Sequence, residues 1–386
     1  MSENLHIQKH QKMLVHICCS VDSHHFLSEL QKLYPDKEMI GYFYNPNIHP
    51  KSEYDLRLLD VERSCKMLGV RLIEGEYETN KWFAEVKGLE QEPEKGARCI
   101  KCFDSRLEKT AQIAHQMSID IFTSTLLSSP LKEQQILFAE GDAIARHYGL
   151  DFLKIDVRSN GGTQRQSELA NKDRLYKQTY CGCQFALSKQ RETRKELPLE
   201  LMSNIGKQIA PGSNEQRKAI FELRDKCEQE SREYALYKQN KIIWRNLRSV
   251  CIDGEEVISS YIITHSRSKD MIKTSTITYI PQSIKDIESK PQNIEIGYAR
   301  RDDSVFIDIH DANKLLGTHY KNAQDMLYHP PKYEDEFALR AALCGMDSIN
   351  PIIIIDRRIK HSLKILIQAH FQESSIFAIA VHSKIV

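Results

Sequence analysis

Between Met13 and Val157, short β-rich apolar runs alternate with stretches of helical period. The runs are Met13 to Cys18, Met39 to Tyr44, Arg71 to Glu76, Ile119 to Leu127 and Phe152 to Val157; the helical stretches are His24 to Leu33, Tyr54 to Leu68 and Leu131 to Tyr148. Strand, crossover helix and strand in this order build a parallel sheet with helices on both faces, so the expected fold is α/β with a Rossmann-like first domain. In such sheets, ligands gather where the carboxyl ends of the strands meet the following loops, at the point where strand order reverses. Cys18 and Cys19 sit at one of these ends, directly after the first run.

At 386 residues the chain exceeds what one core normally holds. The charged stretch from Lys189 to Lys218, interrupted by Pro198 and Pro211-Gly212, reads as a boundary. The expected division is a first domain over residues 1–200, a linker over 201–216 and a second, α+β domain over 217–386 whose role the residues leave open. In that second part, Val257 to Thr264, Thr274 to Ile280, Val305 to Ile309, Pro351 to Ile355 and Ile376 to Val381 read as strands. Arg217 to Asn240 and Lys360 to Phe371 read as helices. The first residues are polar and the longest apolar run, Ile352 to Ile355, stops at Asp356, so a cytoplasmic protein with no membrane association is expected. A formal net charge of +1 excludes a global positive field. An anionic partner would be held by a local patch, such as the basic residues from Arg158 to Arg194, which otherwise form a solvated face.

Six of the ten cysteines form three close pairs: Cys18 with Cys19, Cys99 with Cys102, and Cys181 with Cys183. Clustered thiols in a reducing compartment read as metal ligands or redox pairs. In nucleotide-binding α/β proteins the first turn carries glycines, which let backbone amides approach phosphate. Here two thiols replace them and only Asp22 and Ser23 keep the look of a pyrophosphate loop, which argues against ATP; a helix N-cap at Asp22 or Ser23 is the plain alternative. Cys99-Ile100-Lys101-Cys102 is expected to open a helix running to His115, a position that lowers a thiol pKa. Four thiolates from these two pairs satisfy one iron–sulfur cluster or one zinc ion, and the spacing does not separate the two. A disulfide across Gly182 would close a very small ring and be easily reduced, which suits electron transfer. Two metal ligands, or simply a tight turn, are the other readings of that pair.

Tyr44-Asn45-Pro46-Asn47-Ile48-His49-Pro50 reads as a rigid loop after the second parallel strand. His49 reads as an ordinary loop histidine, with general acid as its alternative. Glu53, Tyr54 and Arg57 share one face of the next helix, and the carboxylate and guanidinium at i, i+4 read as a surface ion pair.

Taken together, these residues resemble one family, the QueH epoxyqueuosine reductases. The likeness is carried in chain order by Val15-His16-Ile17-Cys18-Cys19, by the Tyr44 to Pro50 loop with Glu53-Tyr54 and Arg57, and by Arg98-Cys99-Ile100-Lys101-Cys102 with Arg106-Leu107. It continues through Thr125-Leu126-Leu127-Ser128-Ser129-Pro130-Leu131-Lys132 and Tyr176-Lys177-Gln178-Thr179-Tyr180-Cys181-Gly182-Cys183. The resemblance implies a sheet of the adenine nucleotide α-hydrolase, HUP-like type. It implies an oxidoreductase that reduces the epoxide of epoxyqueuosine to the alkene of queuosine at the wobble base of tRNAs with GUN anticodons, those for Tyr, His, Asn and Asp. It also implies that Cys18, Cys19, Cys99 and Cys102 ligate a 4Fe-4S cluster, that Cys181 and Cys183 form a redox-active disulfide, and that an unidentified electron donor serves the site. Many members continue the first motif as Cys-Cys-x-Pro-Cys. Asp22 stands here where the further thiol often lies, as a ligand to iron or to an additional metal ion, or as a helix cap. On this reading an incompletely ligated iron acts as Lewis acid toward the epoxide oxygen, and a tyrosine or His49 donates a proton. Two other classes share part of the pattern: an ATP-dependent iron–sulfur tRNA thiolase of the pyrophosphate-loop type, and a zinc-dependent RNA-binding module that leaves Cys181 and Cys183 idle.

Overall fold

A computed structural model of the chain describes residues 12–130, 132–201, 208–267 and 271–382. The chain divides into two compact units, Met1–Leu201 with Arg217–Leu236 and Ile379–Val386, and Met202–Gln216 with Tyr237–Ala378.

The first unit opens with β1 (Lys12–Ile17), α1 (Ser20–Leu33), β2 (Glu38–Phe43), α2 (Lys51–Leu68), β3 (Arg71–Glu74) and α3 (Thr79–Glu85). It continues with α4 (Ala97–Gln116), β4 (Ile121–Ser124), α5 (Gln134–Tyr148), β5 (Asp151–Phe152), α6 (Gly162–Lys172) and α7 (Gln184–Arg194). A 3-10 turn at Thr125–Ser128 follows β4; Leu131, read as the start of a helix, lies outside the described residues, and α5 begins at Gln134. The strands pair in the order β3-β2-β1-β4-β5, every pair parallel, which is the expected sheet. The central strand β1 is buried from Met13 to Ile17. Burial on both faces is why its sequence is a continuous apolar run, each large side chain contributing roughly 1.5–3 kcal/mol.

His16 is the polar member of that run. Its Nδ1 and Ser124 Oγ lie 2.9 Å apart and its Nε2 is 3.0 Å from the Tyr44 carbonyl, tying β1 to β4 and to the end of β2. Burial, aided by the Arg106 charge, pulls its pKa down to about 3, so the ring is neutral. From β1 the chain steps outward to β2 and β3, then returns to β4 on the other side, which makes the gap between the β1 and β4 ends the topological switch point.

Helix α8 (Asn214–Gln229) brings its buried Arg224 to Asp60 of α2 at 2.7 Å and to the Arg174 carbonyl at 2.9 Å. Arg217–Leu236 therefore clusters with the first unit, although its position after the linker suggested the second. The expected linker is described only from Gln208, since residues 202–207 lie outside the described ones.

The second unit contains β6 (Tyr234–Asp253) from Tyr237 onward, β7 (Glu256–Ile258), β8 (Ser260–Ile262), β9 (Ile272–Lys273), β10 (Thr278–Lys285), β11 (Pro291–Ala299) and β12 (Ser304–Asp308). Helices α9 (Ile309–Leu316), α10 (Ala323–Tyr328) and α11 (Tyr333–Cys344) precede β13 (Ile352–Ile355) and β14 (Lys364–Val381), the last of which belongs to this unit as far as Ala378. Two sheets, β10-β11-β12-β13-β8 and β7-β6-β14-β9, give the expected α+β architecture. The helix expected over Lys360 to Phe371 is instead the start of β14. Ile365 and Ile367 are buried and Lys364 and Gln368 exposed, a period of two that points one face at a core. The helix expected to reach Asn240 stops at Gln229, and β6 takes over at Tyr234. No helix among the described residues is long and apolar enough to cross a membrane.

Candidate active site

Chain direction delivers the first thiols. After β1, Cys19 adopts extended backbone (φ −164°, ψ 163°) and is itself the N-cap residue of α1, so neither Asp22 nor Ser23 caps this helix. Asp22 lies in the first turn instead. The Cys18 Sγ is 3.9 Å from the Cys19 Sγ and 3.4 Å from Asp22 Oδ2. One donor atom from each of the three residues falls within 4.8 Å of the others. Thr125, in the turn after β4, accepts from the Cys18 N–H at 3.1 Å and donates its hydroxyl to Cys18 Sγ at 3.3 Å. Gln166 donates to Asp22 Oδ1 at 2.7 Å and is itself fixed by Ser128 at 3.0 Å, while Gln178 donates to Cys19 Sγ at 3.1 Å. The hydrogen bond to Cys18, then burial, holds the Cys19 thiol well above its usual range; burial raises the Asp22 carboxyl.

Cys99 and Cys102 occupy the first turns of α4, as expected, with the Lys95 N–H donating to Cys99 Sγ at 3.2 Å. The lowered thiol pKa expected at a helix amino end does not follow for Cys99. Burial outweighs the backbone and pushes this thiol up.

At the third pair, Gly182 has φ +109°, and a Cβ there would stand 2.7 Å from Ile48 Cγ1 and 3.2 Å from Ile48 Cα. Only glycine fits between the two cysteines. The turn is braced from the Tyr44 to Pro50 loop and from α2. The His49 N–H donates to the Gly182 carbonyl at 2.9 Å, and the Arg57 guanidinium donates to the carbonyls of Tyr180 at 2.9 Å and Cys181 at 3.2 Å. Arg57 Nε meets Glu53 at 2.8 Å, and Tyr176 donates its hydroxyl to Glu53 at 3.0 Å. Glu53 is 0% and Arg57 3% exposed, so this pair is a buried brace and not the surface pair its spacing suggested. Helical spacing reports that two residues share a face, and nothing in it reports what covers that face. Burial, with Cys181 beside it, pushes Cys183 up to about 12. All six cysteines are free thiols here.

His49 lies behind this turn. Its Nδ1 is 2.9 Å from the Asn47 carbonyl and its ring packs on Trp82 and Phe83 at centroid distances of 5.5 and 4.7 Å. It does not line the thiol cavity, which fits the loop-histidine reading. Tyr180 does line it, with its hydroxyl donated to the His49 carbonyl.

One cavity of about 440 Å³ gathers these groups: all three cysteine pairs and Asp22 line it. Its cations are Arg57, Arg98, Arg106, Lys132 and Arg194. Of the basic residues from Arg158 to Arg194 expected to act together, Arg194 alone is on this wall; Arg158 is spent on the carbonyls of Ser129 and Lys132, and Arg191 on Glu196 and Glu200. Asn47 and Gln178 also line the cavity, and Asn47 Oδ1 and Gln178 Oε1 are buried acceptors with no hydrogen-bond partner among the described residues. The sequence marks both as polar residues, Asn47 in its rigid loop and Gln178 beside the Cys181-Gly182-Cys183 turn, but that their oxygens are orphaned acceptors is defined only by what the fold puts around them.

Cys18, Cys19 and Asp22 are grouped closely enough to hold a metal ion, and Cys99 and Cys102 bring two further thiols to the same cavity. A parallel α/β sheet that presents clustered thiols at its switch point is the architecture of a thiol-bearing α/β enzyme with a candidate metal site. Residues 13–189 match the family described as epoxyqueuosine reductase QueH. A Helicobacter pylori protein named epoxyqueuosine reductase QueH is 37% identical over 374 residues, covering 95% of this chain and 99% of that protein. The chain belongs to this family, and it is an oxidoreductase. A Thermotoga maritima protein of the same name is 34% identical over 188 residues, 48% of this chain but 95% of its own length, so the second unit is not common to all members. Among solved structures, a predicted subunit of tRNA methyltransferase from Methanocaldococcus jannaschii covers 48% of this chain and 90% of its own at 15% identity and a TM-score of 0.29, too distant to bear on function.

Proposed function

We propose that this enzyme reduces the epoxide of epoxyqueuosine to the alkene of queuosine at the wobble position of tRNAs with GUN anticodons, those for Tyr, His, Asn and Asp. The observation that carries the reading is the convergence of six thiols and Asp22 on one cavity. Conversion of an epoxide to an alkene and water consumes two electrons and two protons. Two thiols going to one disulfide release the same number, and Cys181 and Cys183 are the pair assigned to that exchange. The epoxide loses its oxygen as water, the sulfurs gain one S–S bond, and a separate electron donor restores the dithiol. Cys183, held as a thiol by burial, keeps its proton until it is needed.

Cys18, Cys19, Cys99 and Cys102 are the proposed holders of a 4Fe-4S cluster, with Asp22 available to a second metal ion. Such a centre supplies Lewis acidity and electrons when bound. The protein's own part is positional. Gln178 and Thr125 orient the first two sulfurs, Asn47 Oδ1 and Gln178 Oε1 offer acceptors to the donors of a polar nucleoside, and Trp82, Phe103 and Leu126 exclude water. A wobble base leaves its stack to enter such a recess, and Lys132 and Arg194 suit the phosphates around it.

The test is anaerobic. Wild-type enzyme should convert epoxyqueuosine to queuosine in tRNA, read by mass spectrometry of digested nucleosides. Cys183→Ala should keep its iron and lose multiple turnover, whereas Cys99→Ala should lose iron as well. Sustained turnover by Cys183→Ala would remove the thiol pair from the reaction.

A further inference from the structure

The second unit carries a groove that the redox chemistry does not use. Its deepest part is a cavity of about 310 Å³ lined by β6, β8 and α11, with Arg245, Arg248 and Tyr333 on its walls; a shallower concavity with Arg267 and Phe371 adjoins it, and both share Trp244 and Leu247. Three rings form a column here. Phe371 stacks on Trp244 at 5.0 Å and 11°, and Trp244 on His265 at 5.4 Å and 19°. The column does not end inside the protein: Phe371 is 45% exposed, Leu247 beside it 53%, and the Arg267 guanidinium lies over the Phe371 ring at 5.4 Å.

The charges are one-sided. Among the described residues no ion pair engages Arg245, Arg248 or Arg267. Among the described residues Arg245 donates to the carbonyls of Trp244 and Pro211, and burial, outweighing the opposing pull of Tyr333 and the Glu215 carboxylate, brings its pKa below the usual guanidinium range. Among the described residues the one carboxylate lining the groove, Glu336, is fully committed, accepting from the Tyr261 hydroxyl, from Gln208 at 2.7 Å and from the Thr264 N–H at 2.9 Å. From Tyr234 to Ile252, β6 carries Lys238, Lys241, Arg245 and Arg248 and no acidic residue. A half-buried cation without a counter-ion gains most from an anionic ligand, and an exposed aromatic face beside guanidinium groups suits planar bases joined by phosphates. An acidic peptide would satisfy the arginines and leave the aromatic column unused.

We propose that this groove binds unpaired nucleotides of an RNA chain, a base stacking against the Phe371 end of the column and the flanking phosphates meeting Arg248, Arg245 and Arg267. The proposal rests on the reading of tRNA as the substrate, and it gives the second unit the task of holding the tRNA away from the reacting base.

The experiment uses the full chain with a substrate tRNA, comparing wild type with Phe371→Ala and with the double variant Arg248→Gln/Arg267→Gln, all exposed positions whose folding is checked by thermal melting. Filter binding at several salt concentrations should show Phe371→Ala weakening tRNA affinity about tenfold, and the double variant flattening the dependence of log affinity on log salt by about two. Turnover at saturating tRNA should stay at the wild-type value. Photo-cross-linked RNA should map to peptides containing Trp244 or Phe371. Wild-type affinity and salt slope in both variants would overturn the proposal, as would displacement of the groove's cross-link by polyglutamate but not by unlabelled RNA. Groove-dependent tRNA binding without epoxide reduction would instead defeat the proposed function alone.

Discussion

Replacement of Gly182 by alanine isolates the contribution of backbone geometry to the thiol cavity. Two separate penalties can be worked out. An alanine held at φ +109° costs roughly 1–3 kcal/mol. Its Cβ, 2.7 Å from Ile48 Cγ1, adds an overpacking cost of roughly 1–3 kcal/mol if nothing moves. The total, about 2–6 kcal/mol, is a large part of the 5–15 kcal/mol that holds a typical domain. The turn can escape only by moving away from Ile48, which breaks the 2.9 Å bond from the His49 N–H to the Gly182 carbonyl and displaces Cys181 and Cys183 together. Gly182→Ala should therefore lower the urea midpoint of the first unit, or keep it and lose at least about tenfold in turnover, since a misplacement near 1 Å is worth that much or more. Adding Ile48→Ala removes the Cγ1 obstacle but leaves Ile48 Cα at 3.2 Å and the backbone strain, so a double-mutant cycle should show favourable coupling of about 1–2 kcal/mol and incomplete recovery. A Gly182→Ala protein with both the midpoint and the turnover of wild type would refute the reasoning, because it would mean that neither the positive φ nor the approach of Ile48 constrains the pair.

Arg57→Lys keeps a charge beside Glu53 but replaces a planar fork that reaches two carbonyls with a single point donor. Turnover should fall more than stability, whereas Arg57→Ala, which strands a buried carboxylate, should cost about 3–5 kcal/mol in urea unfolding; wild-type turnover in the lysine variant would show that the fork does not position Cys181. In the second unit, burial and the Arg340 charge pull His265 down to about 4, below its value near 6.5 in an unfolded chain, so the unfolded state binds the extra proton. Its contribution is intact above pH ~6.5 and is lost as pH falls toward about 4. His265→Phe, which keeps a ring in the stack on Trp244, should flatten that part of the stability curve, and an unchanged acid limb would assign it to other groups.

The sheet and the thiol pairs were legible for local reasons. A strand buried on both faces must be apolar except where a polar side chain finds partners, as Met13 to Ile17 is apart from the hydrogen-bonded His16, and closely spaced cysteines announce themselves without any knowledge of the fold. The second half is harder because β6 and β14 are long, half-exposed strands whose mixed polar and aromatic sequences carry little periodic signal; Lys360 to Phe371 has apolar spacing compatible with a helix, and the burial of Ile365 and Ile367 between the exposed Lys364 and Gln368 marks a strand from Lys364. The brace of Glu53 and Arg57, the orphaned acceptors of Asn47 and Gln178 and the ring column at Trp244 share one property. Each depends on what distant segments bring alongside, and spacing within a segment holds no record of that.

The amino-acid order by itself thus determined which residues carry reactive sulfur, the strand-and-helix rhythm that sets Cys18 and Cys19 at a strand end, and the family to which they belong. Only the tertiary structure decided that three pairs separated by scores of residues share one recess, that His49 supports the recess from behind, and which cations face it. The physical reason is that hydrophobic period and covalent spacing act over a few residues, whereas burial, desolvation and hydrogen-bond satisfaction are properties of the whole packed unit.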